Sequence, residues 1–341
     1  MKRYTKVALS ILLAMTMLVG FVGCKAKVEE PSDQPAVSEA PAVSEEPAEA
    51  EEGLTIGFIA MNRFMTWMQY ALKGAEEVAA ERGVELIVYD AENKVDKQTA
   101  LVEDLIAQGV DAIMTDPINV ESLTPALEQA DAAGIPVITF DRRAEGAPYF
   151  AFVGSDDVIG GRLAAQFIAE QIGGAGRVIE IVGAAGASPT IDRGNGFHDE
   201  LETNYPDIEI VYSQTGEFTR EQGMAVMEDA IIAAGEFDAV FAHNDDMMMG
   251  ALQAMKDAGI DLDDVVTISY DGVPDALRAI QDGEHDATIQ YPAGQAGMAM
   301  TIIIDYLENG TMPENKDDKI DPWVITIDNL DTGDFYPELA Q

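Results

Sequence analysis

From Leu54 onward, short β-rich runs alternate with stretches of helical apolar spacing, and this alternation narrows the fold more than any other feature. Strands are predicted at Thr55–Ala60, Glu85–Asp90, Ala112–Asp116, Pro136–Asp141 and Phe150–Ser155. A second series is predicted at Arg177–Gly183, Ile208–Ser213, Ala239–Asn244, Val265–Asp271 and Ala287–Tyr291. Apolar periodicity predicts helices near 67–82, 97–108, 122–133, 160–172, 193–203, 221–234, 247–258 and 274–281. Glycines at 83, 109, 134 and 259 follow four of them, as helix stop signals do. Strands that alternate with helices imply parallel sheets covered on both faces. Ten strands in about 290 residues exceed one ordinary open sheet, so an α/β chain of two similar lobes is expected.

Sheets of this type gather ligands beyond the carboxyl ends of their strands. Those ends carry Asn62, Asp90, Asp116, Asp141-Arg142, His243-Asn244-Asp245, Asp271 and Gln290-Tyr291. Carboxylates and amides bond hydroxyls in pairs, so together they suggest a polyhydroxylated ligand. Each alone is a weak signal, since an Asp after a strand is more often a helix N-cap.

Catalytic templates are missing. No phosphate-binding loop, zinc-protease helix or C-x-x-C pair occurs, and Gly186-Ala187-Ser188-Pro189-Thr190 fails the nucleophile elbow at its last position. His198 and His285 fall in polar context and are expected to be solvated, while His243 could reach a cleft but has no triad partner. Asp261–Asp264 and Asp317-Asp318 are expected to be loop charges, because the Asp/Asn spacing of a calcium loop is absent. The Met247–Met249 run reads as helix packing. Neither an enzyme nor a cofactor nor a metal site is expected. The net charge of −42 repels phosphate backbones, which argues against nucleic acid.

The N-terminus points outside the cytoplasm. Residues 1–23 hold Lys2, Arg3 and Lys6, no acid, and an apolar run from Val7 to Val22, the pattern of a signal peptide. Cys24 is the only cysteine, so no internal disulfide can form. Its place directly after that run resembles a bacterial lipobox, with Phe21 where Leu is usual, and marks it as a lipidation site. Residues 24–53, with two Pro-Ala-Val-Ser-Glu repeats, read as a lipid anchor and a disordered acidic tether. That tether holds nine acids and two bases, so most of the charge belongs to the lobes.

Over nearly the whole globular part the chain resembles the type 1 periplasmic sugar-binding proteins, most closely the ribose-binding group. The stretches that carry the resemblance are Lys73-Gly74-Ala75-Glu76, Ile135–Arg142, Gly154–Gly161 and Arg193–Phe197, then Val240–Met247, Tyr270–Asp275 and Ala287-Thr288-Ile289. The resemblance implies two Rossmann-like lobes with parallel sheets, joined by a three-segment hinge near 153–155, 289–292 and 322–325. The N-terminal lobe would be 54–154 plus 291–323, and the C-terminal lobe 155–290 plus 324–341.

Position by position, the resemblance assigns ligand contacts to Asp141, Arg142, Arg193, Asn244 and Asp271. It adds Trp67 and Phe218 as aromatics at the sugar ring, each with core packing as the alternative. The last polar contact falls on Gln290 or Tyr291, depending on the alignment. Met61 and Met65 stand where polar residues are expected, and Met68 at a second aromatic position. Ribose itself therefore fits poorly, and a sugar with a less polar edge, such as a 6-deoxyhexose, or a different ring size fits better. Asn62 or Arg63 could instead supply the missing donors. The implied function is that of a monomeric, lipid-anchored solute receptor delivering a monosaccharide or polyol to the permease subunits of an ABC importer. A sugar sensor that hands its closed state to a chemotaxis or kinase receptor is the alternative. A LacI-like repressor would need a DNA-binding segment where the signal peptide and tether stand.

Overall fold

A computed structural model describes residues 53–330 of the chain. Cys24, the signal peptide, the tether and residues 331–341 lie outside the described residues. The chain begins with β1 (Thr55–Ala60), α1 (Thr66–Arg82), β2 (Glu85–Asp90) and α2 (Val95–Gln108). It continues through β3 (Ala112–Thr115), α3 (Thr124–Ala132), β4 (Val137–Phe140) and β5 (Ala151–Ser155). Then follow α4 (Asp157–Ile172), β6 (Ala175–Val182), α5 (Ser188–Asn204), β7 (Asp207–Thr215) and α6 (Arg220–Ala234). Next come β8 (Ala239–Ala242), α7 (Asp245–Asp257), β9 (Val266–Asp271), α8 (Pro274–Gln281) and β10 (Ala287–Gln290). The described part closes with α9 (Gln295–Asn309), β11 (Asp317–Ile320) and β12 (Val324–Thr326).

These strands form two six-stranded sheets, in the orders β11-β5-β4-β3-β1-β2 and β12-β10-β9-β8-β6-β7. Every pairing is parallel except β10 with β12, so strand ends of one kind gather at one edge of each sheet. The ten strands expected from sequence are all present. The chain passes between the sheets three times, after β5, after β10 and between β11 and β12. The helices form for ordinary reasons. In α1, Trp67, Met68, Ala71, Leu72, Ala75 and Ala79 make one buried stripe, and Gly83 ends the helix at φ 67.

Three elements and, most clearly among the histidines, His285 differ from the sequence expectation. Helix α9 has no counterpart in the sequence expectation, although Gln295, Ala296, Ala299, Met300, Ile303 and Ile304 make one buried stripe; it packs on α1, where Gly74 and Gly297 meet closely. Asp317-Asp318 belong to edge strand β11 rather than to a loop, and Asp317 accepts a hydrogen bond from the Tyr149 hydroxyl at 2.8 Å. Strand β12 is only three residues long. His285 is buried rather than solvated, held by Thr267 at 2.9 Å and Ser269 at 2.8 Å, and burial lowers its pKa to about 3.

The two lobes touch directly. Arg143 of the first lobe forms a paired salt bridge with Asp192 of the second, and its backbone N–H donates to Ser188 Oγ at 3.0 Å. The Val120 N–H donates to the Gly186 carbonyl at 3.1 Å, and Thr66 Oγ1 to Asp246 at 3.3 Å. Trp67, Tyr291 and Tyr270 then link the two apolar cores, with ring centroids 5.3 and 5.5 Å apart. The Arg143 pair is partly exposed and is worth about 1 kcal/mol, roughly fivefold in the ratio of open to closed forms. Arg143→Ala is therefore expected to expand the protein in small-angle scattering; an unchanged curve would show that this pair does not hold the lobes together.

Candidate functional site

A cavity between the lobes brings most of the sequence-predicted residues together. Asp141, Arg142, Arg193, Asn244, Asp271 and Tyr291 line one part of it. Met61, Met65, Trp67, Met68, Pro189 and Phe218 line the rest. With the lobes shut it measures about 30 Å³, room for about a water or two, so a larger solute enters only when the lobes part. A larger hollow of about 220 Å³ lies at the amino end of β4, but Asp131 is its only charged lining residue. The smaller cavity, where polar groups converge, is the candidate site.

Backbone strain marks the same place. Asp141 (φ 61), Phe218 (φ 59) and Asp271 (φ 124) all hold left-handed or related conformations that side chains rarely adopt. Such strain persists where the surrounding fold imposes it, and functional clefts are where it collects. At Asp141 and Asp271 it turns the side chain out of the strand end into the cavity. Asp141 caps no helix. Asn244 does both jobs considered for it: it lines the cavity, and its Oδ1 caps α7 by accepting the Met247 N–H at 3.0 Å.

Arg142 is fixed from behind. Its Nη1 donates to the Ile118 carbonyl at 3.0 Å, and its Nε lies 3.5 Å from Asp141 and 3.7 Å from Asp116. Asp116 is wholly buried, and neither of its carboxyl oxygens has a hydrogen-bond partner. Burial, then the neighbouring Asp141 charge, push its carboxyl well above the usual range.

Arg193 is held more tightly still. Nε donates to Asp157 at 2.8 Å, Nη1 donates to the His243 carbonyl, and the guanidinium carbon lies 3.7 Å from the Tyr270 ring centre and 4.7 Å from that of Tyr291. Burial raises Asp157 to about 6 although Arg193 pulls it down. Two glycines make this arrangement possible. A Cβ at Gly161 would stand 2.0 Å from the Arg193 carbonyl oxygen, and one at Gly196 would stand 2.1 Å from that of Val158. Helices α4 and α5 thus meet backbone to backbone, and Arg193 reaches Asp157 across that contact. The sequence pattern did not single out Asp157, Tyr270 or Arg143; Asp157 and Tyr270 lie inside stretches that carry the family resemblance, but only the α4–α5 contact reveals the partner of Asp157.

Gln290 and Tyr291 separate clearly. Tyr291 lines the cavity and its hydroxyl donates to Asp141, while Gln290 is buried outside the lining with Oε1 lacking a partner. Trp67 lines the cavity as well, though it is 7% exposed and its indole N–H donates to the Tyr291 carbonyl at 3.3 Å. Phe218 lies 5.4 Å below the Arg142 guanidinium.

Behind Arg193 sits a buried carboxylate, Glu180. Both His198 and His243 donate to it at 3.0 Å, and Ser213 donates at 2.7 Å. His243 faces Glu180 rather than the cleft, and its Nδ1 has no partner. His198 is half exposed, not fully solvated, and its bond to Glu180 raises its pKa. Burial lowers that of His243. A raised folded-state pKa stabilises the fold fully below the unfolded value of about 6.5 and ceases to do so as pH rises through the folded value. The wild type should therefore melt above His198→Gln at about pH 5.5, with the gap closing as pH rises through the raised folded-state value. A gap that is constant with pH would mean that folding leaves the His198 pKa unchanged.

The matches to known proteins agree with this geometry. A family model described as a periplasmic binding protein domain matches residues 56–311. The ribose import binding protein of Bacillus subtilis is 40% identical over 238 residues, covering 70% of this chain and 76% of the relative. The galactofuranose-binding protein of Escherichia coli is 37% identical over 269 residues, 76% of this chain and 84% of the relative. The arabinose transporter binding component of Shewanella, solved with α- and β-L-arabinofuranose, superposes with a TM-score of 0.77 at 35% identity, covering 81% of this chain and 93% of that one. Two α/β lobes, three crossings and an interlobe cavity rich in strand-end carboxylates thus accompany direct sequence kinship, and the chain belongs to the periplasmic binding protein family as a solute-binding protein of the ABC-transporter type.

Proposed function

We propose that this protein captures a neutral monosaccharide or polyol between its lobes and presents the closed form to the permease of an ABC importer. The observation that carries this reading is the convergence of Asp141, Asp271, Arg142 and Arg193 in one closable cavity. Carboxylates accept two hydroxyl protons each, and guanidinium groups donate in a fixed fork. Asp141 already pairs with Arg142 and Asp157 with Arg193, so no positive charge is left over for a phosphate or carboxylate ligand. The kinship to proteins named for ribose, galactofuranose and arabinofuranose points the same way.

Asp141, Arg142, Arg193, Asn244, Asp271 and Tyr291 are the polar contacts in this reading, with Trp67 and Phe218 against the ring and Gln290 as support beside Tyr291. The lobes are 54–154 with 291–323, and 155–290 with 324–341. Hinge closure follows because the solute bonds both lobes only when they are shut. Lipidation of Cys24 holds the receptor at the outer face of the membrane, and residues 24–53 give it reach. Replacing Cys24 by Ser should release the protein from the membrane fraction; continued retention would refute the anchor.

Titration against pentoses, hexoses, their furanose forms and polyols, read by tryptophan fluorescence, tests the solute. The chain has two tryptophans, and Trp67 is the one in the cavity. A binding sugar should shift the emission, and Asp141→Ala should weaken it by roughly 5- to 150-fold, the cost of about 1–3 kcal/mol for unpaired buried groups. Full affinity in that variant would remove Asp141 from the site.

A further inference from the structure

One wall of the cavity offers no hydrogen bond. Met61, at the end of β1, and Met65, Trp67 and Met68, at the start of α1, face it together. The polar groups on the same segment are turned elsewhere. Asn62 Oδ1 accepts the Phe64 N–H at 3.0 Å, Arg63 is exposed and absent from the lining, and Thr66 is spent on Asp246. The Trp67 indole N–H is spent on Tyr291. Neither Asn62 nor Arg63, the two residues able to supply donors from this loop, lines the cavity. Met65 packs against the apolar clusters of both lobes, so the wall is part of the seam that closes.

A hydroxyl pressed on that wall would lose its water partners and gain none, whereas a methyl or methylene would be buried against polarisable thioethers. The charged side of the cavity holds the opposite preference. We propose that the solute is a deoxy sugar, of the 6-deoxyhexose class, whose methyl-bearing edge lies on the Met61–Met65–Met68 wall. This refines the sugar-binding reading and rests on it.

Calorimetric titration of the full chain with sugar pairs that differ by one hydroxyl tests the refinement. Suitable pairs are D-fucose with D-galactose, L-rhamnose with L-mannose, and 6-deoxy-D-glucose with D-glucose. The deoxy member of at least one pair should bind about tenfold or more tightly than its partner. Met65→Gln keeps the side-chain length and adds a hydrogen-bonding group at a half-buried position, so it should fold and cut that ratio severalfold. Met61→Ser combined with Met65→Gln should cut it further. Hydroxylated members that bind as tightly as their deoxy partners, or a ratio untouched by Met65→Gln, overturn the deoxy edge and leave the sugar reading standing. Failure of every sugar, in these pairs and in the wider panel, overturns both.

Discussion

The Arg193 guanidinium lies sealed between two tyrosine rings, with Asp157 on its Nε and the His243 carbonyl on Nη1. A buried charge of this kind costs several kcal/mol unless it is paired and hydrogen-bonded. The surrounding lobe meets that demand in layers. Gly161 and Gly196 bring α4 and α5 close enough for the Asp157 bond. The His243 backbone that accepts from Arg193 is anchored by its own ring on Glu180, which Ser213 and His198 also bond. The guanidinium thus lies fixed in place before any solute arrives, and fixed donors lose less entropy on binding than free ones.

Tyr291 extends the same arrangement into the other lobe. It follows β10 at the second crossing, stacks near Trp67, lies over Arg193 and donates to Asp141. One side chain thereby touches groups of both lobes at the hinge. Burial and the Asp141 charge keep its hydroxyl protonated well beyond the usual range, so it remains a donor at any physiological pH. A solute that takes over the Asp141 carboxylate must displace or share that bond. The second crossing and the candidate site are consequently one piece of chemistry, not two.

Much of this was legible in the chain. All ten central strands and eight helices stand near their expected places, because parallel strands buried on both faces read as apolar runs and the helices between them carry a stripe. The strand-end residues were legible for the same reason, since topology alone puts Asp141 and Asp271 at carboxyl ends. What stayed hidden was set by contacts across the fold. Helix α9 carries further apolar residues, Ile302, Tyr306 and Leu307, beside its buried stripe, and β11 reads as a charged loop because it is a half-exposed edge. His285 looks solvated in Gly-Glu-His-Asp, yet Thr267 and Ser269 of β9 close around it. Arg143 follows Arg142 in sequence and does an unrelated job, bonding Asp192 across the cleft rather than lining it.

The direct contacts between lobes set a limit on how well the closed form can report a solute. Apparent affinity equals the intrinsic value scaled by the fraction of protein already competent to bind, so contacts such as Arg143–Asp192 strengthen capture. The same contacts populate the closed form without solute, and a partner that recognises closure then distinguishes loaded from empty receptor less well. The balance favours weak, partly exposed interlobe pairs and strong, fully desolvated solute contacts. Exposure divides the two arginines in the same way: Arg143 keeps 24% side-chain exposure at the rim, whereas Arg193, a solute contact in the proposed reading, keeps 3% in the cleft. In the proposed reading, closure is therefore governed chiefly by what occupies the space between Arg193, Asp141 and the methionine wall.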